Sequence, residues 1–430
     1  MRLRITPLVA FVFFYAVSTT YGYGGSDDFL SIRFLARPLS IYFGYKYIVP
    51  LRTLFVFDRA SFILLVVQFL FFFFGLFSSS PVKSLLLSLD LFIVYLVALR
   101  ISKSSSYETV NSLFLSITSF VCFSFVFFVL RDRGFGGFVT FSGAVDGGRY
   151  LMRLGGNYLH GSEYGFLFSI LIFLFLYAKK SCLFGIFSNS VITYSIVTLM
   201  FALVIFSGSR NSILFVPLSL ILSELILICN RGFLHLPRFS IRSSRIVPAI
   251  FVLFSSSIFL LFLLDAFIRS FSSIFAFVFQ SLAMKIDATG LYEMSSGRSD
   301  IYNLFFSNIS DYGLGLGLNS HPINVDGNTF LHAHSAILSA LQCGGIVVFV
   351  GFLYLYVSQV LRLISIRSFS PSDICLLRIF LFTIFFSFLD ISGIGKSQLS
   401  GFFLIIGFVY NFRVRTNYFN APINAPNSIS

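Results

Sequence analysis

Ser335-AILSALQCGGIVVFVGFLYLYV-Ser358 runs for twenty-four residues without a charged side chain. A helix needs about 20 apolar residues to cross the ~30 Å of hydrocarbon in a bilayer, so this stretch alone identifies a membrane span. The polar segment just before it, Ser295 to Gly345, overlaps its first residues. It carries SSGRSDIY, then DYGLGLGLNSHP, then DGNTFLHAHSAIL, and it holds three of the protein's five histidines.

Outward from there the chain repeats the apolar pattern. Of 430 residues, 57% are hydrophobic and 11% are charged, against about 25% charged in soluble domains. That excludes an ordinary soluble protein and predicts an all-α, polytopic integral membrane protein, a single membrane domain over 1–430. The first span runs from the basic Met1-Arg-Leu-Arg start to about Thr20, and one crossing is expected near Pro38 to Leu54, where Arg33, Arg37, Lys46 and Arg52 interrupt the apolar character. Clear spans follow at 60–77, 84–100, 109–130, 164–178, 188–207, 212–229, 246–267, 335–358, 376–391 and 398–412, about twelve in all.

Orientation follows from basic residues in short loops, which stay on the inner side. Lys179-Lys180, Arg231/Arg238/Arg242/Arg245, Arg362/Arg367 and Arg413/Arg415 all fall inside when both termini are cytoplasmic. The net charge of +13 is therefore read as membrane topology and lipid attraction, not as a nucleic-acid surface. The same assignment puts the loop 131–163, the turn 208–211 and the long connection 268–334 on the outer side. Arg131, Arg133, Arg149, Arg153, Arg210, Arg269 and Arg298 lie there against the rule, and that invites a functional reading.

Three clusters carry chemistry. Phe206-Ser-Gly-Ser-Arg-Asn-Ser212 is a polar break between two apolar helices. Arg210 either snorkels to the headgroups or points between helices, where hydroxyl and backbone donors at a helix start complement a phosphate. Gly147-GRYLMRLGG-Asn157 puts Arg149 and Arg153 four apart, on one face if the turn is helical, and is equally a glycine-rich surface loop. Ser296-Gly-Arg-Ser-Asp300 with Tyr302 and Leu304 to Phe306 suggests a short amphipathic helix on the membrane surface. After it, Gly313, Gly315 and Gly317 let the backbone pass close to a neighbour.

His332 and His334 close the polar stretch. Their spacing does not place them on one helical face, and no cysteine is near in sequence, so a zinc site is not supported and no cofactor is expected. A neutral imidazole can take a hydroxyl proton near pH 7, and His334 is the better placed of the two. The five cysteines, Cys122, Cys182, Cys229, Cys343 and Cys375, read as small core residues. Asp90, Asp265 and Asp390 within or near spans are expected to face the bundle interior, with Arg59, Arg100 and Arg378 as candidate partners.

In motif order the chain resembles the bacterial O-antigen polymerase (Wzy-type) and O-antigen ligase superfamily of polytopic glycosyltransferases. The resemblance rests on SGSR ending in Arg210, on SGR with Arg298 and Tyr302 followed by GLGLG, and on His334-Ser335 with nine residues before Gly345. The last is similar to the ligases' H-[NSQ]-x9-G-x-x-G pattern, with Val348 at the second glycine. The loop from Arg149 to Asn157 is similar to the family's Arg-containing loop.

The resemblance implies transfer of a glycan from undecaprenyl pyrophosphate to a sugar hydroxyl at the periplasmic face of the inner membrane. Arg210 and Arg298 would neutralise the leaving pyrophosphate, Arg149 and Arg153 would help to hold it, and His334 would orient or deprotonate the acceptor. Asn157, Tyr302 and His332 would line the substrate site. A polymerase is favoured because the ligase glycine pattern is incomplete, and a chain-length regulator is the protein partner it would have. The alternatives are a ligase acting on lipid A core and, from another class, a flippase of the lipid-linked unit. Against the flippase stand the absence of internal duplication and the crowding of polar residues at one face.

Overall fold

The computed structural model describes residues 6–20, 32–49, 59–78, 80–131, 144–146, 149–151, 161–181, 185–207, 209–232, 305–318, 323–325, 328–330, 335–364, 369–389 and 399–410. Within them the helices are α1 (Pro7–Thr20), α2 (Ile32–Ile48), α3 (Arg59–Gly75), α4 (Pro81–Lys103), α5 (Ser106–Arg131), α6 (Gly161–Ser181), α7 (Gly185–Ser188), α8 (Ser190–Phe206), α9 (Arg210–Gly232), α10 (Ala336–Ile364), α11 (Pro371–Leu389) and α12 (Leu399–Val409). Two hairpins of three-residue strands interrupt them: β1 (Ala144–Asp146) with β2 (Arg149–Leu151), and β3 (Ile323–Val325) with β4 (Asn328–Phe330).

The all-α membrane architecture holds, but the count of full spans differs from the expected twelve. Among the described residues six helices are long and apolar enough to cross a bilayer, namely α4, α5, α6, α9, α10 and α11. The apolar helices α1, α3, α8 and α12 have 14, 17, 17 and 11 residues. At ~1.5 Å per residue even the longer two rise only about 25 Å, short of ~30 Å. Helix α2 begins before Pro38 and carries it inside, and it is not among the helices long and apolar enough to cross, so the helix here starts earlier than the crossing expected at Pro38 to Leu54. The expected span 246–267 lies outside the described residues.

Aromatic rings fill the core. Phe166 on α6 meets Phe382 and Phe386 of α11 and Phe403 of α12, with centroids 5.4, 5.1 and 6.0 Å apart. Gly407 lacks a side chain, which lets the Phe380 ring lie on the α12 backbone. Hydroxyls in this dry interior bond to carbonyls: Ser116 donates to its own helix at Ser112 (2.6 Å) and across to Val9 of α1 (3.0 Å).

Helix ends sort to the two ends of the bundle. At one end Tyr47 meets Ser104 (2.9 Å), Ser372 donates to Ser106 (2.9 Å), Tyr410 donates to Asp373 (3.1 Å), and Lys179 stacks over Tyr194. Ser370 and Asp373 cap α11 reciprocally, each accepting the other's backbone N–H. The opposite end gathers the α8–α9 break, the start of α6 and the end of α3. Contacts thus pair helix ends as a chain traversing the bundle in alternate directions requires.

The ion pairs differ from those expected. Asp90 on α4 binds Arg37 of α2, whose Nε also donates to it (3.3 Å), and Arg378 of α11 binds Glu224 of α9 at 2.5 Å. The partner of Asp90 is Arg37, not Arg59, Arg100 or Arg378. An aspartate inside a helical bundle is costly unless a cation neutralises it. Asp265 and Asp390 lie outside the described residues. Cys343 and Cys375 are buried as expected, while Cys122 is exposed on α5. Cys182 and Cys229 are not described in their side chains.

Candidate functional site

Arg210 is the first residue of α9, as its place in the SGSR break suggested. The serines around it have a different role from the one expected. Ser209 caps α9: its Oγ accepts the Ser212 N–H (3.4 Å) while its hydroxyl donates to Ser212 Oγ (2.9 Å). Ser207 donates to the Val204 carbonyl (2.6 Å) and accepts the Ser209 N–H (3.3 Å). All three serines are buried. They shape the turn at which Arg210 begins α9.

The break rests on α6. A Cβ on Gly165 would overlap Ser209 and reach within 2.8 Å of Ser212 Oγ, so glycine is what permits this approach. Helix α6 begins at Gly161, four residues after Asn157, so the loop with Arg149 and Arg153 leads into the helix that supports Arg210. Arg149 itself opens a strand, in register with Asp146, not a helical turn, so the shared helical face drawn for Arg149 and Arg153 does not apply at Arg149. Arg153 and Asn157 lie outside the described residues.

The glycine run has found its neighbour. Helix α10 breaks at Gly345 (φ 72°, ψ −173°), and the run fills the break. Leu316 N–H donates to Gln342 O (2.9 Å), Gly317 N–H to Cys343 O (2.9 Å), and Ile346 N–H to Gly313 O (3.1 Å). In an unbroken helix Gln342 O would accept from Ile346; here the inserted backbone serves both groups. Gly317 also lies on the end of α3, where a Cβ would sit 2.8 Å from Phe74 O.

A small core of its own stabilises this unit. Phe305 and Tyr312 stack at 4.8 Å and, with Leu341, are buried against Leu316, Leu338 and Phe349. The segment after Arg298 and Tyr302 and the helix after His334 are thereby packed on each other. Arg298, Tyr302, His332 and His334 themselves lie outside the described residues. Ser335, which follows His334, is buried.

Val348, where the ligase pattern has its second glycine, is fully buried one turn after Gly344. A Cβ on Gly344 would come within 2.5 Å of Val348, so the small residue of this pair stands at 344. Among the described residues no group of three His, Cys, Asp or Glu side chains is gathered around a common point. No protein-family model matches the chain, and no curated protein matches it.

Proposed function

We propose that the chain is an O-antigen polymerase, a polytopic glycosyltransferase of the bacterial inner membrane with both termini in the cytoplasm. It joins undecaprenyl-pyrophosphate-linked repeat units at the periplasmic face. The observation that carries this reading is the interlock of the glycine run 313–317 with Gly344–Gly345. It joins in space two of the motifs on which the resemblance rests, motifs that lie 27 residues or more apart in the chain.

In this reading the acceptor hydroxyl oxygen attacks the anomeric carbon of the donor glycan. His334 takes the hydroxyl proton, the carbon–oxygen bond to pyrophosphate breaks, and undecaprenyl pyrophosphate leaves with the electron pair. Arg210 and Arg298 stabilise the charge that develops on the leaving group. Arg149 and Arg153 hold the same phosphates by charge-assisted hydrogen bonds, while Asn157, Tyr302 and His332 contact the glycan.

Deletion of the gene tests the reading through the host's lipopolysaccharide. A polymerase leaves core capped with a single repeat unit. Bare core with accumulated lipid-linked polymer identifies a ligase instead, and an unchanged ladder overturns both.

A further inference from the structure

We infer that residues 305–317 are a re-entrant segment embedded in the outer part of the bilayer, and that its exposed apolar surface is covered by lipid acyl chains. This goes beyond the proposed transfer reaction and stands independently of it. The sequence places these residues in the long outer connection between spans, with Leu304 to Phe306 in a short amphipathic helix on the membrane surface. Their contacts place them deeper.

Depth comes first. Gly345 lies nine residues past the start of α10, in an apolar stretch, Ala336–Gln359, that is long enough to cross a membrane. At ~1.5 Å per residue that is about 14 Å along the helix, roughly half the ~30 Å hydrocarbon thickness. Gly313, Leu314 and Gly315 touch Gly345 directly. The segment also completes a layer: α3 stops at Gly75, and Gly317 occupies the space beyond its end.

Hydrogen bonding is the second argument. Irregular backbone survives at membrane depth only where its polar groups are satisfied by protein. The N–H groups of Gly315, Leu316 and Gly317 donate to Tyr312, Gln342 and Cys343, and Gly313 O accepts from Ile346. These four bonds give the segment protein partners that a loop in water would not need.

The surface is the third. Leu314, at the tip, is 82% exposed, and Phe306 and Ile309 are exposed on the same segment. Through the bond between Gly313 and Ile346 this surface continues into exposed Ile346, Val347 and Val350 on α10. Six apolar side chains this exposed around a non-helical tip would be unfavourable in water by about 25 cal/mol per Å². Against acyl chains they are not.

The chain contains no tryptophan, so a single introduced one reports its own surroundings. Leu314→Trp and Ile309→Trp, each in the full-length protein in dioleoylphosphatidylcholine vesicles, are compared with Phe69→Trp on the exposed face of α3 and with Lys180→Trp at a helix end. Both reporters are expected to emit at short wavelength like Phe69→Trp, to be quenched by acyl-brominated phosphatidylcholine, and to resist aqueous acrylamide. Quenching by acrylamide without quenching by brominated lipid would return the segment to water and overturn the inference. Insensitivity to both quenchers would mean that protein, a second copy or another part of this chain, covers the surface, and would overturn it equally.

Discussion

Gly315 and Gly345 exclude a side chain from each other. A Cβ on Gly315 would lie 2.6 Å from the Gly345 nitrogen, and a Cβ on Gly345 would lie 2.9 Å from the Gly315 nitrogen. Both residues also have positive φ, 81° and 72°. Alanine at either position therefore meets backbone and not the end of a flexible side chain, and adopts an unfavourable conformation as well. Each single substitution is expected to cost at least about 1–3 kcal/mol, read as a lower thermal midpoint of the purified protein. Once the interlock is open the second substitution costs less, so the double variant falls short of the sum. Additive losses would show that the two glycines act separately.

Arg37 and Asp90 form a second test of the fold. Arg37→Ala leaves a carboxylate inside the bundle without its cation and is expected to cost about 3–5 kcal/mol. The exchange Arg37→Asp with Asp90→Arg is expected to recover part of that loss. The thermal midpoint reads both, and a neutral Arg37→Ala would contradict the pairing.

Gly165 supports the turn that presents Arg210. Gly165→Leu is expected to push α6 from Ser209 and Ser212, reducing glycan extension with the protein still inserted. Ser209→Ala removes only the cap of α9, about 1 kcal/mol, and is expected to leave extension near normal. Chain-length profiles from cells carrying each variant compare the two. Loss of extension in Ser209→Ala with normal extension in Gly165→Leu would reverse the roles assigned here.

Arg298→Ala and His334→Ala are expected to abolish extension while membrane insertion and yield stay normal. Removing a general base typically costs about 10²–10⁴ in rate. Normal chain lengths in either variant would contradict the site assignment.

Much of the architecture was legible in the apolar runs, because a membrane span has to be continuous. The close neighbour of Gly313, Gly315 and Gly317 was expected too, though not that it would be the broken backbone of α10. Nothing in a locally apolar sequence such as Gln342–Ile346 distinguishes a kinked helix from a straight one, since the partners that satisfy the break come from 25 residues or more upstream. The two hairpins were missed although Gly147-Gly148 and Asp326-Gly327 separate their strands, both favoured two-residue connections. Strands of three residues show too little alternation to register against the helices. The partner of Asp90 was equally hidden, because ion pairing between helices depends on which faces meet. The serines at 207, 209 and 212 have the composition of an anion site, and only their hydrogen bonds show that they form a cap.

The proposed activity is tested most directly with the purified protein in liposomes that carry undecaprenyl-pyrophosphate-linked repeat units as sole donor and acceptor. Lengthened glycans with release of undecaprenyl pyrophosphate are the predicted result. Unchanged single units, or transfer only when lipid A core is supplied, would contradict it.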